Sequence, residues 1–204
     1  MALTEACAAI TELVTRSAAS GQVPLVVAFD GRSGTGKSTL ASRVAEAVPA
    51  AVVLLDDFFA ASIPNADWDR MTAEERGARV FDWARVRTQA VGPLRAGTAA
   101  CWHPFDFETG PRADGTYGMK AAVVEVEPAP VIIIDGAYSS GPQLADLVDL
   151  TVLVETSETE RWTRLTRREE AEFLAQWHAR WTTVEDFYFS NVRPRSSFDL
   201  IVTT

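Results

Sequence analysis

Cysteine is scarce in this 204-residue chain: Cys7 and Cys101 are the only two, and neither belongs to a Cys-x-x-Cys pair or a Cys/His cluster. That excludes a disulfide framework, leaves no legible zinc site, and points to a reducing, cytoplasmic home. Histidine is as rare. His103 and His178 are isolated, which makes a poor metal site; both read as packing or surface residues, with a substrate hydrogen bond left open for His103. No apolar run approaches the roughly 20 residues of a membrane-spanning helix. The opening MALTEACAAITELVTRSAAS carries Glu5 and Glu12 and lacks a basic region followed by an unbroken apolar stretch, which counts against a secretory signal. Positive charge is short as well, 19 Lys and Arg against 28 Asp and Glu, for a net charge of −9. That balance argues against a general binder of nucleic acid or membrane surfaces, since phosphate-rich partners reward clustered cations. An anionic ligand has to be caught locally.

The composition that remains, 47% hydrophobic and 23% charged, is that of an ordinary soluble protein with enough chain for a sizeable core. Neither an internal repeat nor a low-complexity linker is visible, so residues 1–204 read as a single domain. Leu3, Ala6, Cys7, Ile10, Leu13 and Val14 recur at helical spacing and predict an amphipathic helix over 2–19, within an N-terminal segment 1–22. Short apolar runs at 23–29, 51–55, 130–135, 150–155 and 199–204 suit strands buried on both faces, the habit of parallel sheets covered by helices. Helical patterns fall between them, at 37–48, 72–91, 142–147 and, with interruptions, 158–192. This alternation predicts an α/β fold, a parallel sheet flanked by helices. Residues 98–127 combine turn residues with short alternating stretches and predict a small β-rich insertion at one edge of the sheet.

The stretch Gly31–Ser38 reads GRSGTGKS and matches GxxxxGK[ST]. Glycines let successive N–H groups curl inward onto phosphate oxygens, and the helix that follows adds the positive end of its dipole. Lys37 would reach the β and γ phosphates and the Ser38 hydroxyl would bind Mg²⁺. The loop follows a predicted buried strand and opens an amphipathic helix, as the motif requires. Gly31, Ser33, Gly34, Thr35, Gly36, Lys37, Ser38 and Thr39 are therefore the expected contacts to a nucleotide, ATP with magnesium.

Three further signals bear on the reaction. LLDDFF sets Asp56 and Asp57 at the carboxyl end of the second strand, where ligands sit in open α/β sheets. A carboxylate there can take the proton of an attacking hydroxyl, or can simply be an acidic turn. VIIIDG ends a strand in Asp135, as a magnesium-side carboxylate does, or as a strand-terminal turn does. Arg161, Arg164 and Arg168 stand at i, i+3 and i+7 and share one helical face, either to neutralise a transferring phosphoryl group or as a solvated face paired with acids such as Glu160.

In this order the motifs resemble those of the uridine kinase, nicotinamide riboside kinase and phosphoribulokinase group of P-loop kinases, from about Val23 to the end of the chain. The resemblance implies a P-loop NTPase fold with a short helical lid at about 158–175, and a catalytic base at Asp56 with Phe59 facing the substrate. HPFDFETGPR is similar to the group's acceptor-pocket stretch, which implicates Phe105, Asp106, Phe107 and Arg112, and VFDWARV offers Asp82 to acceptor hydroxyls. Ser38 and Asp135 are implied at magnesium, and Arg161, Arg164 and Arg168 with Lys37 at the phosphates. The chain departs from the group at Gly110, where nucleoside kinases often keep a base-recognising histidine, at Phe105 in place of tyrosine, and at Asp135 in place of a more usual glutamate. The expectation is an ATP-dependent kinase for a small-molecule hydroxyl, a nucleoside or nucleoside-like acceptor. Alternatives are another hydroxyl compound (sugar, vitamin precursor, antibiotic) or a nucleotide-dependent ATPase switch. Nothing in the sequence speaks to oligomeric state.

Overall fold

The computed structural model describes residues 3–19, 21, 24–168 and 171–204. Residue 2 of the expected first helix and residue 23 of the expected first strand lie outside the described residues. The apolar runs form β1 (Leu25–Asp30), β2 (Ala50–Leu54), β5 (Val131–Asp135), β6 (Leu150–Glu155) and β7 (Leu200–Thr203), while β3 (Ala100–Trp102) and β4 (Val124–Val126) arise from the insertion. The five long runs pair in the order β2-β5-β1-β6-β7, every neighbour parallel. β1 and β5 are central and buried at every residue, which is why they read as unbroken apolar runs.

Because successive side chains alternate across a strand, the sheet feeds two cores. Val27, Phe29, Ile133 and Val152 meet Ile10 and Val14 of α1 (Leu3–Ala19) and Leu40 and Val44 of α2 (Lys37–Ala47). Val26, Val53, Ile132 and Ile134 face the other way, into a cluster with Leu55, Phe58, Trp68 and Leu94. A fully buried side chain of this size contributes about 1.5–3 kcal/mol. The second layer is assembled from short helices, α3 (Asn65–Trp68), α4 (Ala73–Arg79), α5 (Trp83–Arg85) and α6 (Gly92–Arg95), the last two joined by a π-helical stretch over Val86–Val91.

The helix expected over 72–91 is therefore broken. At the break the backbone pairs with the β2 exit: the Ala60 N–H donates to the Val80 carbonyl at 2.9 Å and the Asp82 N–H to the Phe58 carbonyl at 2.8 Å. Each side of the break has its own N-cap, Thr72 with Glu75 in a capping box and Asp82 on the Arg85 N–H. The helix expected over 142–147 is a single 3₁₀ turn, Pro142–Leu144. Arg87 holds that crossover, donating to the Gln143 carbonyl and to both oxygens of Asp146. The Arg87 hydrogen bonds lower the Asp146 carboxyl to about 2. The insertion makes a separate two-stranded antiparallel sheet, β3 with β4, and one isolated bridge, Phe105 to Met119; the rest is turn. After β6 come α7 (Glu158–Arg168) and α8 (Ala171–Phe187), so the expected lid spans α7 and the start of α8, with 169 and 170 outside the described residues. No described helix is long and apolar enough to cross a membrane.

Candidate active site

All five parallel strands point their carboxyl ends to one edge, where ligands sit in such sheets. β1 turns there into the glycine-rich loop. Gly31 has φ +144°, and a Cβ on it would stand 2.3 Å from the Val154 carbonyl oxygen of β6, so only glycine allows the loop to leave the strand. Lys37 is buried and folds back on the loop, its Nζ donating to the Arg32 carbonyl at 3.1 Å. The Thr35 hydroxyl donates to the same oxygen at 2.9 Å.

A groove of about 340 Å³ runs along this edge, lined by Lys37, Ser38, Asp56, Asp135, Arg164 and Arg168. The loop contributes Ser33, Gly34, Gly36 and Thr39 to its floor. Thr35 is instead buried, with its carbonyl accepting from the Thr204 hydroxyl at 2.8 Å. The groove brings together most of the residues expected at nucleotide and magnesium.

Asp135 ends β5 inside the groove, followed by Gly136, where a Cβ would meet Leu55 Cβ at 2.7 Å. Burial pushes its carboxyl up; the Lys37 cation and a hydrogen bond from Ser38 pull it back, and the neighbouring Asp56 charge adds to the rise. Its Oδ1 is buried without a hydrogen-bond partner among the described residues. Mg²⁺ takes oxygen ligands and keeps several waters, held by one or two carboxylates plus phosphates. An orphaned carboxylate oxygen beside a serine hydroxyl at a phosphate loop fits such an ion.

The acidic pair of LLDDFF is divided by the 3₁₀ turn Leu55–Phe58. Asp57 turns toward the insertion and accepts from Trp102 Nε1 at 2.8 Å. Burial raises its carboxyl, and the Trp102 bond partly offsets that. Asp56 stays at the groove and also lines a small aromatic pocket of about 40 Å³ with Phe59, Phe81, Tyr138, Trp181 and Glu185. Phe59 is the hub of that wall, with ring centroids 5.2 Å from Phe105, 5.5 Å from Trp181 and 5.8 Å from Trp68. Phe105 in turn packs on Phe107 at 4.4 Å.

Other expected residues are engaged elsewhere. Asp106 accepts from the N–H groups of Glu108 and Thr109 and from the Thr109 hydroxyl, which holds its carboxyl below the usual range. Arg112 opens a turn, its N–H donating to the Thr116 carbonyl at 2.7 Å. Asp82 is the α5 cap described above. The three arginines of α7 diverge: Arg164 donates to the Thr204 hydroxyl and to Glu160, Arg168 lines the groove, and Arg161 turns to the other side. There its Nε donates to the Ser33 carbonyl at 2.9 Å and its Nη2 to Glu185 at 3.2 Å. A further cavity of about 700 Å³ lies on that side, where Arg32 pairs with Asp186 and Arg195 with Glu155.

Two carboxylates at the site escape the sequence motifs. Asp30, wholly buried, accepts from the N–H groups of Gly31, Tyr138 and Ser140 and from the Tyr188 hydroxyl. Glu185 accepts from the Ser33 N–H of the phosphate loop at 2.8 Å. Its signal was a lone acid on an apolar helix face, since Trp181, Val184 and Tyr188 flank it at i−4, i−1 and i+3 and are all buried.

No family model matches the chain. It is 26% identical to the uridine kinase of Limosilactobacillus reuteri over 196 aligned residues, covering 88% of this chain and 83% of that protein. It is also 26% identical to the uridine kinase of Alkaliphilus metalliredigens over 176 residues, covering 84% and 78%. Among solved structures, a possible uridine kinase from Bacillus stearothermophilus superposes with a TM-score of 0.68 at 19% identity, over 98% of this chain and 99% of that one. D-glycerate 3-kinase from Cryptococcus neoformans gives the same TM-score at 16% identity, over 96% and 94%. These structures carry the fold, an α/β P-loop NTPase fold with a parallel sheet flanked by helices.

Proposed function

Starting from its kinship with the uridine kinase-like P-loop kinases, we propose that this chain transfers the γ-phosphoryl group of ATP to a hydroxyl of a nucleoside or nucleoside-like small molecule. The observation that carries the reading is Asp56, which lines both the phosphate groove and the aromatic pocket and so stands where donor and acceptor would meet. In the transfer, Asp56 takes the acceptor's hydroxyl proton, the acceptor oxygen bonds to the γ-phosphorus, and ADP leaves with the electrons of the broken P–O bond. Lys37, Arg164 and Arg168 balance the charge that spreads over the phosphoryl oxygens. Ser38 and Asp135 would hold Mg²⁺, which when bound neutralises charge between the β and γ oxygens. Most of the acceleration comes from holding the two reactants in line.

One observation favours a smaller acceptor such as a sugar or vitamin precursor: Asp106, expected in a nucleoside pocket, is taken up by its own turn. Both readings are tested by ATP-to-ADP turnover with Mg²⁺ across nucleosides, sugars and other hydroxyl compounds. Stimulation by nucleosides supports the first reading; stimulation by sugars alone transfers it to the second. Hydrolysis that no acceptor stimulates and that survives Asp56→Asn would make the chain a nucleotide-dependent switch instead.

Asp135 gives a pH-dependent expectation. A carboxyl raised in the folded state contributes stability that is fully present below its unfolded value and is lost as pH rises through the folded one. At neutral pH the unliganded protein therefore bears the cost of this charge. Asp135→Asn is expected to raise Tm at pH 7 without ligand, with the advantage vanishing in acid, and to weaken stabilisation by Mg²⁺-ATP by about tenfold or more in affinity. Thermal melts at pH 4 and 7, with and without Mg²⁺-ATP, check both halves.

A further inference from the structure

Glu185 is a buried carboxylate that the proposed chemistry leaves without a task. It sits on α8, 4% exposed, and lines the 40 Å³ pocket that adjoins the phosphate groove through Ser33, Asp56 and Ala137. Burying a charge on an apolar helix face is unfavourable unless its oxygens are met. Two hydrogen bonds reach it, from the Ser33 N–H to Oε1 and from Arg161 Nη2 to Oε2, and Arg32 Nη1 stands in an ion pair with Oε2 at 3.8 Å, beyond hydrogen-bond length. A carboxylate has about four acceptor positions, so two remain. Apolar and aromatic side chains make up most of the rest of the lining, with Ser33 and Tyr138, and the pocket's other carboxylate is Asp56.

Resting on the kinase reading above, we propose that Glu185 is an acceptor-binding residue. It accepts a hydrogen bond from a second hydroxyl within two carbons of the one phosphorylated, so that the acceptor enters as a polyol or sugar end held between Asp56 and Glu185. Three observations converge. Size is the first: a water needs about 10–15 Å³ of such a cavity, so 40 Å³ takes a hydroxylated carbon and not a nucleobase. The walls are the second, because Phe59, Phe81 and Trp181 line the pocket with aromatic rings that suit C–H groups while two carboxylates line the same space. The third is Asp82, expected to contact acceptor hydroxyls, which caps α5 through the Arg85 N–H and does not line this pocket. Glu185 supplies the carboxylate that Asp82 does not.

The test compares acceptors that differ by one hydroxyl: uridine with 3′-deoxyuridine, and D-glycerate with 3-hydroxypropanoate. Binding is read by calorimetry with Mg²⁺ and a non-hydrolysable ATP analogue, so that no turnover is needed. The wild type is expected to bind the full member of at least one pair about 10–100-fold more tightly than its deoxy partner, the size of a hydrogen bond to a charged group. Glu185→Gln is expected to remove most of that difference, weakening the full member while changing the deoxy one by about twofold or less. Equal wild-type affinity within both pairs, or no binding of either full member, overturns the proposal and requires no variant to fold. A role confined to steadying Ser33 predicts something else: Glu185→Gln would weaken both members alike and raise the KM for ATP, and that outcome also overturns it. Turnover of the same compounds separates this inference from the kinase reading. Discrimination without phosphoryl transfer leaves Glu185 standing and sinks the kinase; transfer without discrimination does the reverse.

Discussion

Replacing Asp56 with Asn is expected to lower kcat by about 10²–10⁴-fold, the usual contribution of a positioned general base, while the KM for ATP changes little. The reasoning begins with shape. Asn matches Asp in size, so the 3₁₀ turn Leu55–Phe58 and the aromatic packing around Phe59 have no steric reason to move. What is lost is the ability to receive a proton from a hydroxyl held in the pocket. The substitution also removes one of the charges that push the Asp135 carboxyl up, so magnesium and nucleotide binding should be preserved or slightly strengthened. This makes the variant informative: a loss in kcat with intact ATP binding places the defect in transfer, not in assembly of the site. Single-turnover rates with saturating ATP would check it, and a variant within tenfold of the wild type would sink the role of Asp56 as base.

The sheet was readable because β1 and β5 are central and need apolar residues on both faces, so their sequences carry no polar alternation that could be mistaken for something else. The phosphate loop was readable because it is local: eight consecutive residues, a strand before and a helix after. Legibility fell where long-range pairing overrode local pattern. Val80 and Asp82 sit inside a helical spacing, yet the Ala60 and Phe58 backbone groups claim them, and that pairing joins residues about 20 apart in sequence. The arginine row shows the same limit at the site. Spacing correctly puts Arg161, Arg164 and Arg168 on one helix, but which neighbour each guanidinium meets depends on Glu185 and Thr204, brought in by α8 and β7. Asp30 could not be singled out because an isolated acid has no motif, and Glu185 carried only the weak signal of one acid among apolar helix neighbours; burial distinguishes both from the acids on the surface.

Asp30 carries the largest expected effect on stability. Its carboxylate ties the end of β1 and the following Gly31 to the turn after β5 and to Tyr188, accepting from Gly31 N–H at 2.7 Å, Tyr138 N–H at 2.8 Å, Ser140 N–H at 3.1 Å, the Ser140 hydroxyl at 2.5 Å and the Tyr188 hydroxyl at 2.7 Å. Asp30→Ala strands three buried amide donors that no rotation can redirect, whereas the Ser140 and Tyr188 hydroxyls, 3.2 Å apart, can turn to each other. With a buried unsatisfied group costing about 1–3 kcal/mol, the expected destabilisation is about 3–5 kcal/mol, read as a lower urea midpoint at unchanged slope. Asp30→Asn should cost roughly half as much, because its amide oxygen still serves Gly31 and Tyr138 and its NH₂ can donate to the two hydroxyls, leaving the Ser140 N–H opposed. The loss reaches function through Tyr138, which has φ +70°, an uncommon conformation for a bulky residue. Such backbone strain costs on the order of 1–3 kcal/mol and persists only where surroundings impose it; the Asp30 bond to the Tyr138 N–H is one such contact, beside the Gly141 N–H on the Tyr138 carbonyl at 2.9 Å. Once it is cut, Tyr138 relaxes out of the pocket it shares with Asp56. Molecules of Asp30→Ala that remain folded should therefore show a raised KM for the acceptor with the KM for ATP unchanged, and loss of stability with no change in acceptor KM would confine Asp30 to a purely structural role.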